Sequence, residues 1–178
     1  MTTLTDELAN KELTLITKES EKIKVPVKIG ILSNLIKTII KNDDDNEVED
    51  DLDKNLEIPV VNITAPILRK VIEFIQYHFE NGPMQEIEKP LKSGNLRDSV
   101  SEWDANYIDL ENDILFNIVL AANYLDIQSL LDLSCAKVAT MIKGKSPEEI
   151  RKTFNIKNDF TPEEEEQIRE ENKWTNKE

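Results

Sequence analysis

Histidine, cysteine and glycine are scarce in this chain, and each scarcity excludes a class of function. Among 178 residues there are one histidine, one cysteine and four glycines. A zinc site would need carboxylates to complete it, which is unusual, so we interpret His78 as a surface histidine. Phosphate-cradling loops need more glycine than this chain has, and no P-loop or GxSxG motif occurs. No intramolecular disulfide can form, and we interpret Cys135 as a buried, inert thiol.

Positive charge is also deficient. The 22 lysines and arginines face 36 aspartates and glutamates, for a formal net charge of −14. Phosphate-rich partners would be repelled, so we expect neither nucleic acid nor an anionic membrane surface as a partner. No apolar run is long enough to span a bilayer, no signal start is visible, and the single thiol fits a reducing compartment. We therefore expect a location in the cytoplasm and nucleus.

Carboxylates are abundant, but they form runs in loops and at helix starts. Such runs are typical of solvated surfaces, whereas paired catalytic acids need a cleft that the sequence does not indicate. We therefore expect no enzymatic activity and no cofactor. A small acidic enzyme that uses carboxylates and a metal remains as the remote alternative.

The hydrophobic pattern predicts a small sheet followed by helices, an α+β arrangement. The predicted strands are 13–16, 23–25 and 56–61, the last with Pro59 at a sheet edge or strand end. The predicted helices are 29–40, 66–79, 113–124 and 127–142, and residues 103–110 are expected to be ordered with Trp103 as an anchor. Residues 1–12 are expected to be disordered or frayed, 42–55 to form an acidic loop and 82–102 to form a variable surface loop.

The C-terminal segment contains two sequence signals for the start of a helix. Residues 146–149 read Ser-Pro-Glu-Glu and residues 161–164 read Thr-Pro-Glu-Glu. In each, the hydroxyl is an N-cap, the proline occupies the first helical position and the second glutamate completes a capping box. Both helices lack a core face, since the second offers little beyond Ile168 and Trp174. Their apolar side chains are therefore expected to meet a partner.

Residues 120–127 (Leu-Ala-Ala-Asn-Tyr-Leu-Asp-Ile) and 150–161 (Ile-Arg-Lys-Thr-Phe-Asn-Ile-Lys-Asn-Asp-Phe-Thr) resemble the Skp family. These proteins are the adaptors of Skp–cullin–F-box ubiquitin ligases. The resemblance is dense from about 103 to 174 and looser from 13 to 79. It implies a BTB/POZ fold over 13–143, followed by F-box-binding helices over 144–178.

The resemblance also implies two partners and the residues that meet them. Asn123 and Tyr124 match a pair that contacts the cullin N-terminal domain in the family. The positions that match the F-box side are apolar: Phe116, Val119, Leu131, Val138, Ile142, Ile150, Phe154, Ile156 and Trp174. The implied function is that of a non-catalytic adaptor that bridges a cullin and F-box substrate receptors for ubiquitin-dependent proteolysis.

Some features stay open at this point. Residues 18–21, Thr175 and the 84–102 loop depart from the family pattern. The alternative hypothesis is an adaptor for F-box proteins in cullin-free complexes of the kinetochore or pump-assembly type, while an elongin-C-like adaptor would lack the capped helices. Weak self-association through the BTB face and modification of Ser146, Thr161 or Pro162 are also left open, although capping and a first-turn proline already explain these three residues.

Overall fold

The computed structural model describes residues 11–44 and 56–171. The predicted frayed start, residues 45–55 of the predicted acidic loop, and Trp174 lie outside the described residues. The chain divides into two compact units, one ending at Lys143 and the other beginning at Gly144.

The first unit combines three strands with six α-helices among its described residues. The strands are β1 (Glu12–Ile16), β2 (Lys22–Pro26) and β3 (Leu56–Pro59). Its helices are α1 (Val27–Gly30), α2 (Asn34–Asp44), α3 (Ala65–Asn81), α4 (Glu102–Tyr107), α5 (Asn112–Tyr124) and α6 (Gln128–Ile142), with a 3₁₀ turn at Leu96–Asp98. The second unit contains α7 (Pro147–Thr153) and α8 (Pro162–Glu171). The predicted α+β class is confirmed.

The sheet has the order β2–β1–β3. β1 pairs with β2 antiparallel, with Leu13 opposite Val25, and with β3 parallel, with Leu15 opposite Ile58. These four side chains are buried. Pro59 ends an edge strand, as its missing N–H predicts.

One predicted helix is wrong in its continuity. The pattern predicted a single helix over 29–40, but α1 ends at Gly30 and α2 begins at Asn34. Ser33 lies between them, fully buried, and its hydroxyl accepts the amide of Ile36 at 3.2 Å and donates to the carbonyl oxygen of Leu125. The hydroxyl thus caps a new helix and ties its start to the end of α5, 92 residues away. The helix also continues to Asp44, so residues 42–44 are helical.

Local sequence signals explain the C-terminal end of α3 but not its N-terminal cap. Thr64 occupies the N-cap position, as predicted, but its side chain makes no capping bond. A carboxylate from the β1–β2 connection takes that role, because Glu19 Oε2 accepts the amide of Ala65 at 3.2 Å. The helix ends at Asn81, and the next residue, Gly82, has a φ of 99°, a conformation that glycine adopts without steric cost.

His78 is mostly covered by its neighbours, so its interpretation as a surface histidine is wrong. Its side chain is 11% exposed, with Nε2 2.8 Å from Asp104 Oδ1 and Nδ1 3.1 Å from the carbonyl oxygen of Gly82. Ser101 caps α4 by accepting the amide of Asp104, and its hydroxyl donates to Asp104 Oδ2 at 2.7 Å. The network joins the end of α3 to the start of α4.

Aromatic rings surround this network. Trp103 stacks on Tyr77, with ring centroids 3.6 Å apart, and on Tyr107, with centroids 5.1 Å apart. The hydroxyl of Tyr107 donates to the carbonyl oxygen of Lys70 at 2.7 Å, and burial raises the pKa of this phenol. Trp103 is therefore the anchor that the sequence predicted for this segment, and it holds α4 against α3.

Candidate partner-binding surfaces

The helices α5 and α6 form a hairpin whose turn spans residues 125–127. Asp126 takes a φ of 52°, and the amide of Ile127 donates to the carbonyl oxygen of Ala122 at 2.9 Å. This hydrogen bond terminates α5, because the left-handed conformation of Asp126 reverses the chain direction within a single turn. The hairpin directs its core side chains inward: Leu115, Ile118, Ala121, Ala122, Leu130, Leu133 and Ala136 are all buried.

The opposite face of α5 carries three exposed side chains at helical spacing, Phe116, Leu120 and Asn123, which we name the α5 stripe. Leu120 is 68% exposed and Phe116 38% exposed. The positions are four and three residues apart, so the side chains lie along one face. The residue matched to the F-box side and the residue matched to the cullin therefore share this face of α5, and Leu120 lies between them.

The remaining predicted residues of α5 lie beside this stripe. Val119 is half-buried, and Tyr124 is half-buried with its ring packed against the core. Leu120 is not among the partner-binding residues predicted from the sequence. Leu120 lies four residues after Phe116, a spacing that places both side chains on one face of a helix. In a helix as apolar as α5, however, the spacing alone does not show which face is exposed.

A second set of side chains follows the outer face of α6. Leu131, Cys135, Val138 and Ile142, which we name the α6 stripe, are spaced by four, three and four residues. Leu131 and Val138 are half-buried and packed against the core, while Ile142 is 40% exposed. Cys135 is exposed, so the prediction of a buried thiol is wrong. The buried face of α6 is formed instead by Leu130, Leu133, Ser134 and Ala136.

An open apolar cleft of about 480 Å³ lies between α6 and the 87–91 segment. Its α6 side is lined by Asp132, Cys135, Ala136, Ala139 and Lys143. Cys135 therefore belongs both to the α6 stripe and to the cleft wall. The other wall is formed by Ile87, Lys89, Pro90 and Leu91.

The predicted surface loop 82–102 is more closely attached than its irregular sequence suggests. Ile87 and Leu96 are buried. Lys89 Nζ lies 2.8 Å from Asp132 Oδ1, and this hydrogen bond raises the pKa of the lysine. Lys143 Nζ donates to the carbonyl oxygens of Leu91 and Lys92 at 2.7 and 3.0 Å. Sequence reasoning missed these attachments because both partners of each contact are far apart along the chain.

In the second unit, α7 is defined by local hydrogen bonds. The Ser146 hydroxyl accepts the amide of Glu149 at 3.2 Å, and Glu149 Oε2 accepts the amide of Ser146 at 2.8 Å, so the predicted capping box is confirmed. After the helix, Asn155 takes a φ of 52° and the amide of Ile156 donates to the carbonyl oxygen of Arg151 at 2.8 Å. Both ends of α7 are therefore specified within a few residues.

The start of α8 repeats this capping box. The Thr161 hydroxyl accepts the amide of Glu164 at 3.3 Å, and Glu164 Oε2 accepts the amide of Thr161 at 2.8 Å. Neither helix contains a buried residue. Of the predicted F-box residues in this unit, Ile150 and Phe154 are half-buried and Ile156 is exposed. Phe160 and Ile168 are also exposed apolar side chains.

Two kinds of functional element are absent from the described residues. Across 11–44 and 56–171, no three or more histidine, cysteine, aspartate or glutamate side chains are grouped so that they could hold a metal ion. Within the same ranges, no helix combines the length and apolar character needed to cross a bilayer. Exposed apolar side chains lie on the hairpin in one unit and on α8 and the connection before it in the other.

Comparison with known proteins identifies the family. The tetramerisation (POZ) domain of the Skp1 family matches residues 11–80, and the dimerisation domain of the same family matches residues 128–175. The S-phase kinase-associated protein 1 homolog of Tetrahymena thermophila is 55% identical over 161 residues, 90% of this chain and 91% of that protein.

Fungal proteins match over a similar length. The E3 ubiquitin ligase complex SCF subunit sconC of Arthroderma benhamiae is 43% identical over 166 residues, covering 93% of this chain and 96% of its own. Suppressor of kinetochore protein 1 of Schizosaccharomyces pombe is 45% identical over 166 residues, covering 92% and 96%. The similarity extends over nearly the whole chain and includes both family domains, so this protein belongs to the Skp1 family.

Proposed function

We propose that this protein is the non-catalytic adaptor subunit of an SCF-type E3 ubiquitin ligase, joining an F-box substrate receptor to the N-terminal domain of a cullin. The observation that carries the proposal is the full-length similarity to a relative that is itself named an SCF subunit. The adaptor acts by position alone. Holding both partners raises the effective concentration of substrate lysines near the ubiquitin-charged enzyme.

The exposed apolar side chains support a role that depends on binding. The α6 stripe has the three- and four-residue spacing of helix-in-groove recognition, and the second unit exposes Ile156, Phe160 and Ile168. We assign Phe116, Val119, the apolar α6 residues, Ile150, Phe154 and Ile156 to the F-box, together with Trp174. We assign Asn123 and Tyr124 to the cullin. We add Leu120 to the partner-binding residues, because it lies exposed between Phe116, assigned to the F-box, and Asn123, assigned to the cullin.

The experiment that tests the proposal is a pair of binding titrations with the purified full chain. One ligand is an F-box protein fragment and the other is a cullin N-terminal domain. Trp174→Ala should weaken F-box binding, and Asn123→Ala with Tyr124→Ala should weaken cullin binding, each sparing the other partner. A chain that binds neither ligand would overturn the proposal.

A cullin-free adaptor is the competing function, and one relative is named for the kinetochore. It predicts F-box binding with no cullin binding in the same titrations.

We further propose a location in the cytoplasm and nucleus, which microscopy of the tagged chain tests. Weak self-association through the POZ domain is proposed as well, and sedimentation of the free chain across a concentration series tests it.

A further inference from the structure

Neither described helix of the second unit contains a buried residue, yet three polar side chains connect these helices. Arg151 lies on α7, Glu165 on α8 and Asn158 on the segment between them. Glu165 Oε1 accepts from Arg151 Nη1 at 3.3 Å and from Asn158 Nδ2 at 2.8 Å. The side chains of Arg151 and Glu165 are 23% and 33% exposed, in a unit whose residues are otherwise mostly exposed.

Two further contacts restrain the same group. The guanidinium of Arg151 lies 5.7 Å from the ring centroid of Phe160, within the range of a cation–π contact. The Asn158 side-chain oxygen accepts a hydrogen bond from the backbone amide of Phe160 at 3.4 Å. The side chain of Asn158 therefore contacts both the backbone of the connecting segment and Glu165 on α8. Arg151 is therefore held between a carboxylate and an aromatic face, an arrangement that suits its planar fork and that a lysine would not reproduce.

Charge explains why this arginine matters. The N-terminal half of α8 carries consecutive glutamates at 163–166, and Arg169 is the only basic residue within the helix. Arg169 lies 3.6 Å from Glu166, but both side chains are about 60% exposed and belong to one helix. Exposed pairs of this kind contribute little. Arg151 supplies a partly buried positive charge from the other helix, where it offsets repulsion among the glutamates.

We propose that Arg151, Asn158 and Glu165 form a clasp that fixes α7 relative to α8 in the free chain, so that the apolar side chains of both helices meet an F-box partner as one preformed surface. Only the identity of the partner rests on the proposed function. Ordering a surface before binding lowers the cost of association, because the competent conformation no longer has to be selected from a broad ensemble. Arg151 is in this sense a positioning residue.

Spin-label distance measurements test the clasp in the full chain without a partner. Cys135→Ser removes the single cysteine, and Lys152→Cys with Gln167→Cys places one label on each helix. The clasp predicts a narrow distance distribution that Arg151→Ala broadens. Lys157→Ala removes the same charge from the exposed connection between the helices and should leave the distribution narrow. A broad distribution before any clasp substitution, or equal effects of Arg151→Ala and Lys157→Ala, would overturn the proposal.

The consequence for binding is measured with the unlabelled chain and an F-box protein fragment. Arg151→Ala should weaken the affinity about fivefold, the effect expected from losing one partly buried ion pair, with no change in the unfolding midpoint of the POZ unit. Unchanged affinity would refute the preformed surface. If the chain binds no F-box fragment but the distance distribution is narrow and depends on Arg151, the proposed function fails and the clasp stands. If the chain binds the F-box fragment tightly but the distance distribution of the free chain is broad, the clasp fails and the proposed function stands.

Discussion

Leu120 and Leu115 lie on opposite faces of α5, and the same substitution at each should separate partner binding from folding. Leu120 is 68% exposed, whereas Leu115 is fully buried. Burying a whole leucine side chain contributes about 1.5–3 kcal/mol. Leu120→Ala therefore removes only about a third of that amount, or about 0.5–1 kcal/mol, from the free energy of unfolding.

The exposed two thirds of Leu120 is what a partner can still cover. Covering it contributes about 1–2 kcal/mol, which corresponds to an affinity about 5- to 30-fold weaker in the Leu120→Ala variant. Leu115→Ala instead leaves a cavity in the core and lowers the free energy of unfolding by about 2–5 kcal/mol. Its folded fraction should bind both partners with nearly normal affinity.

Two measurements decide between these expectations. Chemical unfolding gives the stability of each variant, and calorimetric titration with an F-box fragment and a cullin N-terminal domain gives the affinities. Leu120→Met, which nearly conserves volume, should retain binding. The reasoning would be refuted if Leu120→Ala left both affinities within about twofold of the unsubstituted chain, or if it destabilised the fold as much as Leu115→Ala does.

Three further substitutions test other parts of the structure. Ser33→Ala removes the hydroxyl that caps α2 and donates to the Leu125 carbonyl oxygen; denaturant titration should report a loss of about 1–3 kcal/mol, and an unchanged midpoint would contradict this role. Trp103→Ala removes the stacked ring between α3 and α4; we expect a loss of about 2–4 kcal/mol together with a weaker near-ultraviolet circular dichroism signal, and a surface-like loss under about 0.5 kcal/mol would show that the stack anchors nothing. Ser146→Ala should raise the pKa of Glu148, because the carboxyl's own backbone amide and then the Ser146 hydroxyl hold this pKa below its ordinary value. A lowered pKa in the folded state contributes stability above the ordinary pKa and loses it as the pH falls through the folded one, so NMR titration of this carboxyl checks the sign directly.

The elements themselves were largely predictable from periodicity. The expected helices 66–79, 113–124 and 127–142 are observed as Ala65–Asn81, Asn112–Tyr124 and Gln128–Ile142. Each is long and strongly apolar on one face, which makes its type and approximate bounds readable without tertiary information. The resemblance of residues 120–127 and 150–161 to the Skp family predicted the membership that the comparisons confirm.

The errors have a common physical origin. Ser33, His78 and Cys135 were misjudged or overlooked because their environment is set by residues far away in sequence. Ser33 contacts a carbonyl oxygen 92 residues later, and His78 contacts a carboxylate 26 residues later. Cys135 has apolar neighbours in sequence, but its exposure depends on which face of α6 turns toward the rest of the core, a rotation that periodicity leaves loosely defined.

The sequence by itself determined the features whose interactions close within a few residues. This class includes both capping boxes, the left-handed conformation of Asn155 after α7 and the proline that ends the edge strand. In the capping boxes and after α7, donor and acceptor lie within a few residues and are positioned by local backbone geometry. It also supplied exposed apolar positions at helical spacing, which a partner can use.

Only the tertiary structure decided how those positions combine. It brought residues matched to two different partners, Phe116 and Asn123, onto one stripe of α5 with Leu120 between them. It broke a continuous apolar helix at Ser33 and joined α7 to α8 through a clasp of three polar side chains. The physical reason is that burial and long-range hydrogen bonds depend on which surfaces the fold brings together, and that choice is made by the whole chain at once.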